Sequence, residues 1–290
     1  LKPHQVKHIV DDCGADVIIS DKARYNALNK AGILESIPLT FLTDDQLLPW
    51  EERDNIERAQ FSSPSCTGQS SLYYKQLNNA RCILYTSGST GKPKGVIGSN
   101  KALSQFIHWE SNVFDLDHTL RFSQFTNPGF DAFMRDLFVP LSVGAALCIP
   151  ADDALSSGEE MASWIQEQEI TLIHCVPSIF KLFGQAKAAS GSFNKLRFIM
   201  LAGEKILPAD LQKWYKQHVE GTQLVNLYGA TETTLIKGAY RIQPEDVHKA
   251  FIPVHSMAGS QFMLLNEYMK VCPEGAIGEI YIRTPYMSEG

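Results

Sequence analysis

The chain has 290 residues, of which 44% are hydrophobic and 20% are charged, a composition typical of a globular protein with a large core. Its 26 basic and 32 acidic residues give a net charge of −6, which offers no basic field to nucleic acid or an anionic membrane. No apolar stretch approaches the roughly 20 residues that span a bilayer. Six scattered cysteines without a Cys-x-x-Cys pair favour a reduced, cytoplasmic chain over a zinc or disulfide scaffold.

The hydrophobic pattern predicts strands that alternate with helices along most of the chain. The predicted helices cover residues 3–12, 21–31, 101–109, 131–141, 159–168, 178–186 and 208–218. The predicted strands cover residues 17–20, 82–85, 145–149, 170–176, 196–202 and 222–227. This alternation predicts an α/β fold of mostly parallel sheets flanked by helices. From Gln261 onward, short segments around a Pro-Glu-Gly turn predict a β-rich, antiparallel tail, whereas the turn-rich residues 62–71 predict an exposed loop.

The most informative motif is the segment Tyr85–Gly95, which follows an apolar strand and contains three glycines and two lysines. Glycine lets the backbone approach a ligand, successive N–H groups bind anions, and lysine adds positive charge. The segment therefore predicts a nucleotide phosphate site. The predicted contacts are Thr86, Ser87, Gly88, Ser89, Thr90, Gly91 and Lys94, while Lys92 is either a further donor or a solvated side chain. The segment is not a Walker loop, because Pro93 follows Gly-Lys.

Three further segments extend this pattern: Phe130-Asp131-Ala132, Asn226–Thr234 and Gly278–Ile282. In this order, the four segments resemble the motifs of adenylate-forming enzymes, which include acyl-CoA synthetases, luciferases and the adenylation domains of nonribosomal peptide synthetases. The chain is most similar to the last group. It departs from the usual pattern at three positions, where Ala230 replaces Pro, Phe133 replaces Ser and Asn100 replaces His.

The resemblance also implies a domain organisation. The chain would form an incomplete N-terminal core subdomain, with a first α/β part to about residue 80, a nucleotide- and substrate-binding part over 81–255, and the start of a β-rich part over 256–290. The ribose-binding segment and the C-terminal subdomain with its catalytic lysine would lie outside it. We therefore expect residues 1–290 alone to be inactive or weakly active.

The implied reaction is the ATP- and Mg²⁺-dependent activation of an amino acid as aminoacyl-AMP. The product would be loaded onto the phosphopantetheine thiol of a carrier protein domain, with neighbouring synthetase domains as further partners. The resemblance assigns catalysis to Lys94, Thr231 and Glu232, with Glu232 as the metal ligand, a role that suits the preference of Mg²⁺ for carboxylates. Nucleotide binding is assigned to Ala202, Gly203, Asn226, Tyr228, Gly229 and Thr231. Taken alone, Glu232 could equally be a carboxylate at a helix N-terminus.

Two other functions remain open from the sequence. One is an acyl- or aryl-CoA ligase with the same fold, and the other is a catalytically incomplete nucleotide-binding remnant. Asp131 favours amino-acid activation over the first, because a carboxylate can pair with an α-ammonium group but has no use in binding a fatty acid.

By the pattern of the family, the amino-acid pocket is lined by Asp131, Ala132, Arg135, His174, Met200, Ala202, Leu227, Leu235 and Ile236. Asp131 would hold the α-ammonium group. A buried Arg135 without a partner would be costly, and a carboxylate on the substrate could supply the missing anion. This predicts an acidic amino acid, namely aspartate, 3-methylaspartate or glutamate. In the alternative, Arg135 pairs with Asp131 or Asp136, and the pocket takes an apolar side chain.

Overall fold

The structure is a computed structural model that describes residues 3–15, 17–20, 22–33, 39–42, 80–87, 92–186, 193–217 and 221–290. The predicted loop over 62–71 lies outside the described residues. The chain divides into two compact units, Leu1–Ile97 and Gly98–Gly290. No helix in the described part is both long and apolar enough to cross a membrane.

The first unit contains two helices, α1 (Pro3–Cys13) and α2 (Lys22–Lys30). Strand β1 (Val17–Ser20) pairs in parallel with β2 (Leu39–Leu42). Strand β3 (Ala80–Ser87) pairs with β4 (Pro93–Ser99), which runs into the second unit. The Tyr85 hydroxyl donates a hydrogen bond of 2.6 Å to the Asp12 carboxylate and so connects β3 to α1.

The second unit is built on a seven-stranded sheet with the strand order β11-β10-β9-β8-β7-β5-β6. Its strands are β5 (Arg121–Ser123), β6 (Ala146–Cys148), β7 (Leu172–Cys175), β8 (Phe198–Leu201), β9 (Gln223–Gly229), β10 (Ile236–Arg241) and β11 (His255–Ser256). The five neighbouring strands β9, β8, β7, β5 and β6 are parallel to one another. Strands β10 and β11 add an antiparallel edge.

Helices cover both faces of this sheet. They are α3 (Asn100–Val113), α4 (Ala132–Ser142), α5 (Gly158–Glu167), α6 (Pro177–Gly184) and α7 (Pro208–Gln217). One core cluster joins the sheet to α5, α6 and α7, and a second joins it to α3 and α4. The residues of β8 alternate between the two clusters: Phe198 and Met200 belong to the second, and Ile199 and Leu201 to the first. This double burial explains why β8 is continuously apolar.

The helix starts follow from the sequence. The Ser99 side chain accepts a hydrogen bond from the Ala102 N–H at α3, and the Ser157 side chain accepts one from the Glu160 N–H at α5, as N-cap residues do. Helix α6 begins with Pro177, a residue whose fixed φ and missing N–H suit this position.

The predicted fold class is confirmed: the second unit is α/β, with a mostly parallel central sheet and flanking helices. The predicted antiparallel tail is confirmed as well, since β12 (Gln261–Leu265) pairs with β13 (Glu279–Arg283) in antiparallel register. The sequence pattern did not predict β2, β4, β5, β10 and β11. The predicted division near residues 80 and 255 stays a prediction.

Candidate functional site

The carboxyl ends of β7, β8 and β9 meet at one edge of the central sheet, where ligands of open α/β sheets usually bind. At the end of β9, Tyr228 is 38% exposed, and its ring packs edge-on against Phe262 with 5.8 Å between the ring centroids. The Asn226 side-chain amide donates to the Pro253 carbonyl at 2.8 Å, which leaves its side-chain oxygen to accept a hydrogen bond. An exposed aromatic face beside an amide oxygen suits a purine base with an exocyclic amine.

Beyond β9, the chain forms a short 3₁₀ turn over Thr231–Thr233. The Glu232 carbonyl accepts hydrogen bonds from Ser288, at 3.1 Å from its N–H and 2.6 Å from its hydroxyl. The Glu232 carboxylate is exposed and makes no ion pair within the described part of the chain. Its backbone is held while its carboxylate stays available, as a metal ligand requires.

The described residues contain no group of three His, Cys, Asp or Glu side chains arranged to hold a metal ion. Mg²⁺ in nucleotide sites uses one or two carboxylates and takes its other ligands from phosphate oxygens and water. A single free carboxylate at Glu232, with the half-buried Thr231 beside it, fits Mg²⁺ bound together with a nucleotide.

The segment Ala202-Gly203-Glu204 follows β8 at the same edge of the sheet. Gly203 has a φ of +86°, a conformation that favours glycine, and Ala202 is half-buried. Both oxygens of Glu204 accept hydrogen bonds of 3.0 Å from Ser178, one from its N–H and one from its hydroxyl. Glu204 thus connects this segment to the start of α6.

The glycine-rich phosphate segment belongs to the first unit. Thr86 is half-buried, and Lys92 and Lys94 are exposed. Gly88, Ser89, Thr90, Gly91 and the side chain of Ser87 lie outside the described residues, so their phosphate contacts stay a prediction.

The residues predicted to line the amino-acid pocket come together on the α3 and α4 side of the sheet. His174 and Met200 are paired across β7 and β8, and Leu227 belongs to the same core cluster as Met200. Met200, Leu227, Leu235 and Ile236 are each 7% exposed or less. Three members of the predicted set, Asp131, Ala132 and Ala202, are half-buried and form its accessible edge. Whether this set binds an amino acid stays a prediction.

Asp131 caps α4, where one carboxylate oxygen accepts a hydrogen bond of 2.8 Å from the Ala132 N–H. Its second oxygen has no hydrogen-bond partner within the described part of the chain. A carboxylate at this half-buried edge can therefore receive a cationic group.

Arg135 differs from the prediction. It is 1% exposed, and its guanidinium forms a bidentate contact with the Glu110 carboxylate at 2.6 to 3.0 Å. A further nitrogen lies 3.3 Å from Asp136, and Met200 Sδ lies 2.9 Å from Nη2. The expectation that the substrate supplies the anion for Arg135 assumed that no protein carboxylate pairs with it, and this assumption is wrong. The protein supplies two carboxylates, of which Asp136 was foreseen in the alternative and Glu110 was not.

The cluster continues to His174, whose Nδ1 lies 3.1 Å from Asp136 Oδ1. All four residues, Glu110, Arg135, Asp136 and His174, are at most 3% exposed. Glu110 could have been found from its position, because it lies on the buried stripe of α3 that also contains Leu103 and Phe106. A glutamate on an apolar stripe predicts a buried partner.

Lys237 is the second charged residue that the sequence analysis missed. It occupies a β-bulge in β10, and its side chain is fully buried. The ammonium donates to the Thr234 carbonyl at 2.8 Å and to the Ile236 carbonyl at 3.3 Å. Burial lowers the pKa of Lys237 from its ordinary value of 10.5 to about 8, against the opposing attraction of the Asp131 carboxylate.

Comparisons with known proteins agree with these features. A family profile described as AMP-binding enzyme matches residues 1–290. The chain is 29% identical to surfactin synthase subunit 2 of Bacillus subtilis (strain 168) over 295 aligned residues, covering 99% of this chain and 8% of that protein. It is 35% identical to the L-proline–[L-prolyl-carrier protein] ligase of Streptomyces coelicolor (strain ATCC BAA-471 / A3(2) / M145), covering 69% of this chain and 38% of that protein.

Among solved structures, the chain resembles the nonribosomal peptide synthetase FmoA3 (S1046A) in its α-methyl-L-serine-AMP-bound form. The TM-score is 0.78 at 19% identity, and the match covers 100% of this chain and 30% of that one. At this identity the likeness shows a common fold. The chain spans well under half the length of each of these three proteins.

The buried cluster predicts that Arg135→Ala lowers the free energy of unfolding by about 3–5 kcal/mol, because it leaves Glu110 and Asp136 buried without their cation. Urea unfolding followed by circular dichroism measures the change. Lys213→Ala, at an exposed position of α7, is the control and should change stability by less than about 0.5 kcal/mol. An equally small effect of Arg135→Ala would contradict the structural role of the cluster.

The lowered pKa of Lys237 predicts that the free energy of unfolding depends on pH. Its folded-state pKa of about 8 lies below the unfolded value of 10.5, so the unfolded chain binds more protons between these limits and stability rises with pH there. A shift of this size corresponds to about 3 kcal/mol. Lys237→Met should stabilise the protein at pH 7, and its advantage over the wild type should shrink by pH 10. Urea unfolding at both pH values tests this, with the exposed Lys213→Met as a pH-independent control.

Proposed function

Because the chain belongs to the AMP-binding enzyme family, we propose that it activates an amino acid as aminoacyl-AMP at the expense of ATP. The observation that carries this proposal is the carboxylate of Asp131, which lies at the accessible edge of the predicted pocket with one oxygen unpaired. An α-ammonium group is the natural partner for such a carboxylate. The name of the prolyl-carrier protein ligase, which acts on an amino acid, supports the same substrate class.

In the proposed reaction, a carboxylate oxygen of the amino acid attacks the α-phosphorus of ATP. The bond between this phosphorus and the bridging oxygen breaks, and pyrophosphate leaves. Negative charge accumulates on phosphate oxygens, where bound Mg²⁺ supplies compensating positive charge. In this reaction Glu232 holds the metal, Thr231 and Lys94 donate to phosphate oxygens, and Tyr228 and Asn226 position the base.

The later step of the proposal is transfer of the aminoacyl group to the phosphopantetheine thiol of a carrier domain. The relatives named above support this step, since one is a carrier-protein ligase and another is a subunit of surfactin synthase. Carrier and neighbouring synthetase domains would then be the protein partners, in the cytoplasm.

The acidic side chain expected from the sequence has lost its main support. That prediction assumed that Arg135 needs an anion from the substrate. The carboxylates of Glu110 and Asp136 already fill this role. Aspartate and glutamate therefore enter the substrate screen as two candidates among many, together with polar and apolar amino acids.

An acyl- or aryl-CoA ligase is the competing function, and Asp131→Asn distinguishes it from amino-acid activation. Asparagine caps helices as well as aspartate does, so α4 should keep its stability. Removing the carboxylate should lower kcat/KM for the amino acid roughly 30-fold or more, the loss expected for one partner of a buried charge pair, and leave KM for ATP unchanged.

The measurement is amino-acid-dependent exchange of pyrophosphate into ATP by the full-length protein. Exchange that requires a fatty or aryl acid, and that does not respond to Asp131→Asn, would refute amino-acid activation.

The metal assignment predicts that Glu232→Gln lowers turnover about 10²–10³-fold, the loss typical of a group directed at transition-state charge. The melting temperature should not change, because the carboxylate is exposed and unpaired. Raising the Mg²⁺ concentration should restore part of the activity. Glu267→Gln, at an exposed turn, is the matched control. Wild-type turnover of Glu232→Gln at limiting Mg²⁺ would exclude Glu232 as the metal ligand.

A further inference from the structure

Nε2 of His174 is a buried polar atom without a partner. Among the residues predicted to line the amino-acid pocket, the guanidinium of Arg135 is engaged by Glu110, Asp136 and Met200. His174 uses Nδ1 for Asp136, but Nε2 has no hydrogen-bond partner in the described part of the chain although it is buried. Because native proteins pair nearly all buried polar atoms, an unpaired one among the predicted pocket residues is a candidate for contact with a ligand.

The hydrogen bonds around Asp136 determine which nitrogen of the ring carries the proton. One Asp136 oxygen accepts from the Thr126 N–H at 3.3 Å, and the other contacts Arg135 and His174 Nδ1 at 3.3 and 3.1 Å. A carboxylate only accepts hydrogen bonds, so Nδ1 is the protonated nitrogen. In the neutral ring, Nε2 then holds a lone pair and can only accept.

The surroundings of Nε2 limit which group can donate a hydrogen bond to it. His174 and Met200 are paired neighbours on β7 and β8, so their side chains point to the same face of the sheet. The remaining buried members of the predicted pocket, Leu227, Leu235 and Ile236, are apolar. Nε2 is therefore the polar group that the buried part of the pocket can offer to a substrate side chain.

We infer, on the basis of the proposed function, that the amino acid activated here carries a hydrogen-bond donor on its side chain, a hydroxyl or a carboxamide, and that His174 Nε2 accepts from it. A carboxylate side chain would place a second acceptor against Nε2. A hydrocarbon side chain would leave Nε2 buried and unpaired. Either mismatch carries a penalty that a donor avoids.

The test compares substrates of nearly equal shape in pyrophosphate exchange by the full-length protein. Asparagine, aspartate and leucine form one set, and threonine and valine form another. In the set whose size fits the pocket, the donor-bearing amino acid should exceed its isosteres about 10- to 100-fold in kcat/KM, the effect of one satisfied buried hydrogen bond.

Two variants connect this preference to His174. His174→Phe keeps an aromatic ring but removes the acceptor, so the preference for the donor should disappear while KM for ATP stays the same. His174→Gln can donate to Asp136 and accept from the substrate with one amide, and it should retain much of the preference. His108→Gln, at an exposed position of α3, is the matched control. Circular dichroism checks that each variant folds, and if His174→Phe does not, His174→Gln and the substrate series still decide.

A second measurement does not depend on activity. In the ¹⁵N NMR spectrum of histidine-labelled protein, His174 Nε2, assigned by its loss in His174→Gln, should have the chemical shift of an unprotonated nitrogen at pH 7. It should move upfield when the preferred amino acid is added. A protonated Nε2 in the free protein would overturn the inference.

The outcomes separate the inference from the proposed function. Exchange with no amino acid at all would overturn the proposed function and the inference together. Exchange that favours aspartate over asparagine, or leucine and valine over their polar isosteres, would overturn the inference alone. A substrate preference that His174→Phe leaves unchanged would do the same.

Discussion

The position of α4 depends on a buried ion cluster. Arg135, one turn into this helix, is held by Glu110 from α3 and by its neighbour Asp136, and Asp136 in turn reaches His174 on β7. Charges at this depth are tolerated only when hydrogen bonds satisfy them in accurate geometry. The cluster therefore constrains two helices and the sheet at once. The contact between Arg135 and Glu110 therefore also fixes the position of Asp131, which lies four residues earlier at the start of α4.

The sequence predicted the parallel sheet because its central strands are buried on both faces. Residues 198–201 alternate between two core clusters, and the run is therefore apolar throughout. The missed strands lack this signal. Strand β5 has three residues, one of them an arginine, and it is recognised only through its pairing with β6 and β7. Strand β10 begins in a bulge at Lys237 and includes Gly238, both unusual in strand interiors.

The set of pocket residues stays a prediction from the family resemblance, and the sequence did not identify Glu110 as the partner of Arg135. The spacing of Asp131 and Arg135 on one helix is a local property, and the partners predicted for Arg135 lay on that helix or on the substrate. The main partner, Glu110, is 25 residues away on another helix. The two carboxylates meet one guanidinium only after α3 and α4 have packed on the same face of the sheet. The periodicity of α3 indicates that Glu110 is buried and needs a partner, but the fold alone determines that the partner is Arg135.

Internal pairing separates polar groups that hold the fold from those that are free to recognise a ligand. Each guanidinium nitrogen of Arg135 contacts a protein group, so Arg135 holds structure despite its position in the predicted pocket. Lys237 is intermediate, because two backbone carbonyls accept from its ammonium and the Asp131 carboxylate attracts its charge without forming an ion pair in the described part of the chain. The second oxygen of Asp131, the carboxylate of Glu232 and Nε2 of His174 each lack a hydrogen-bond partner in the described part of the chain. A free carboxylate at the accessible edge suits an ammonium group, a solvent-facing carboxylate suits a metal, and a buried lone pair suits a neutral donor. The hydrogen-bonding capacity of each unpaired atom, rather than the residue types in the predicted pocket, therefore indicates which ligand group suits it.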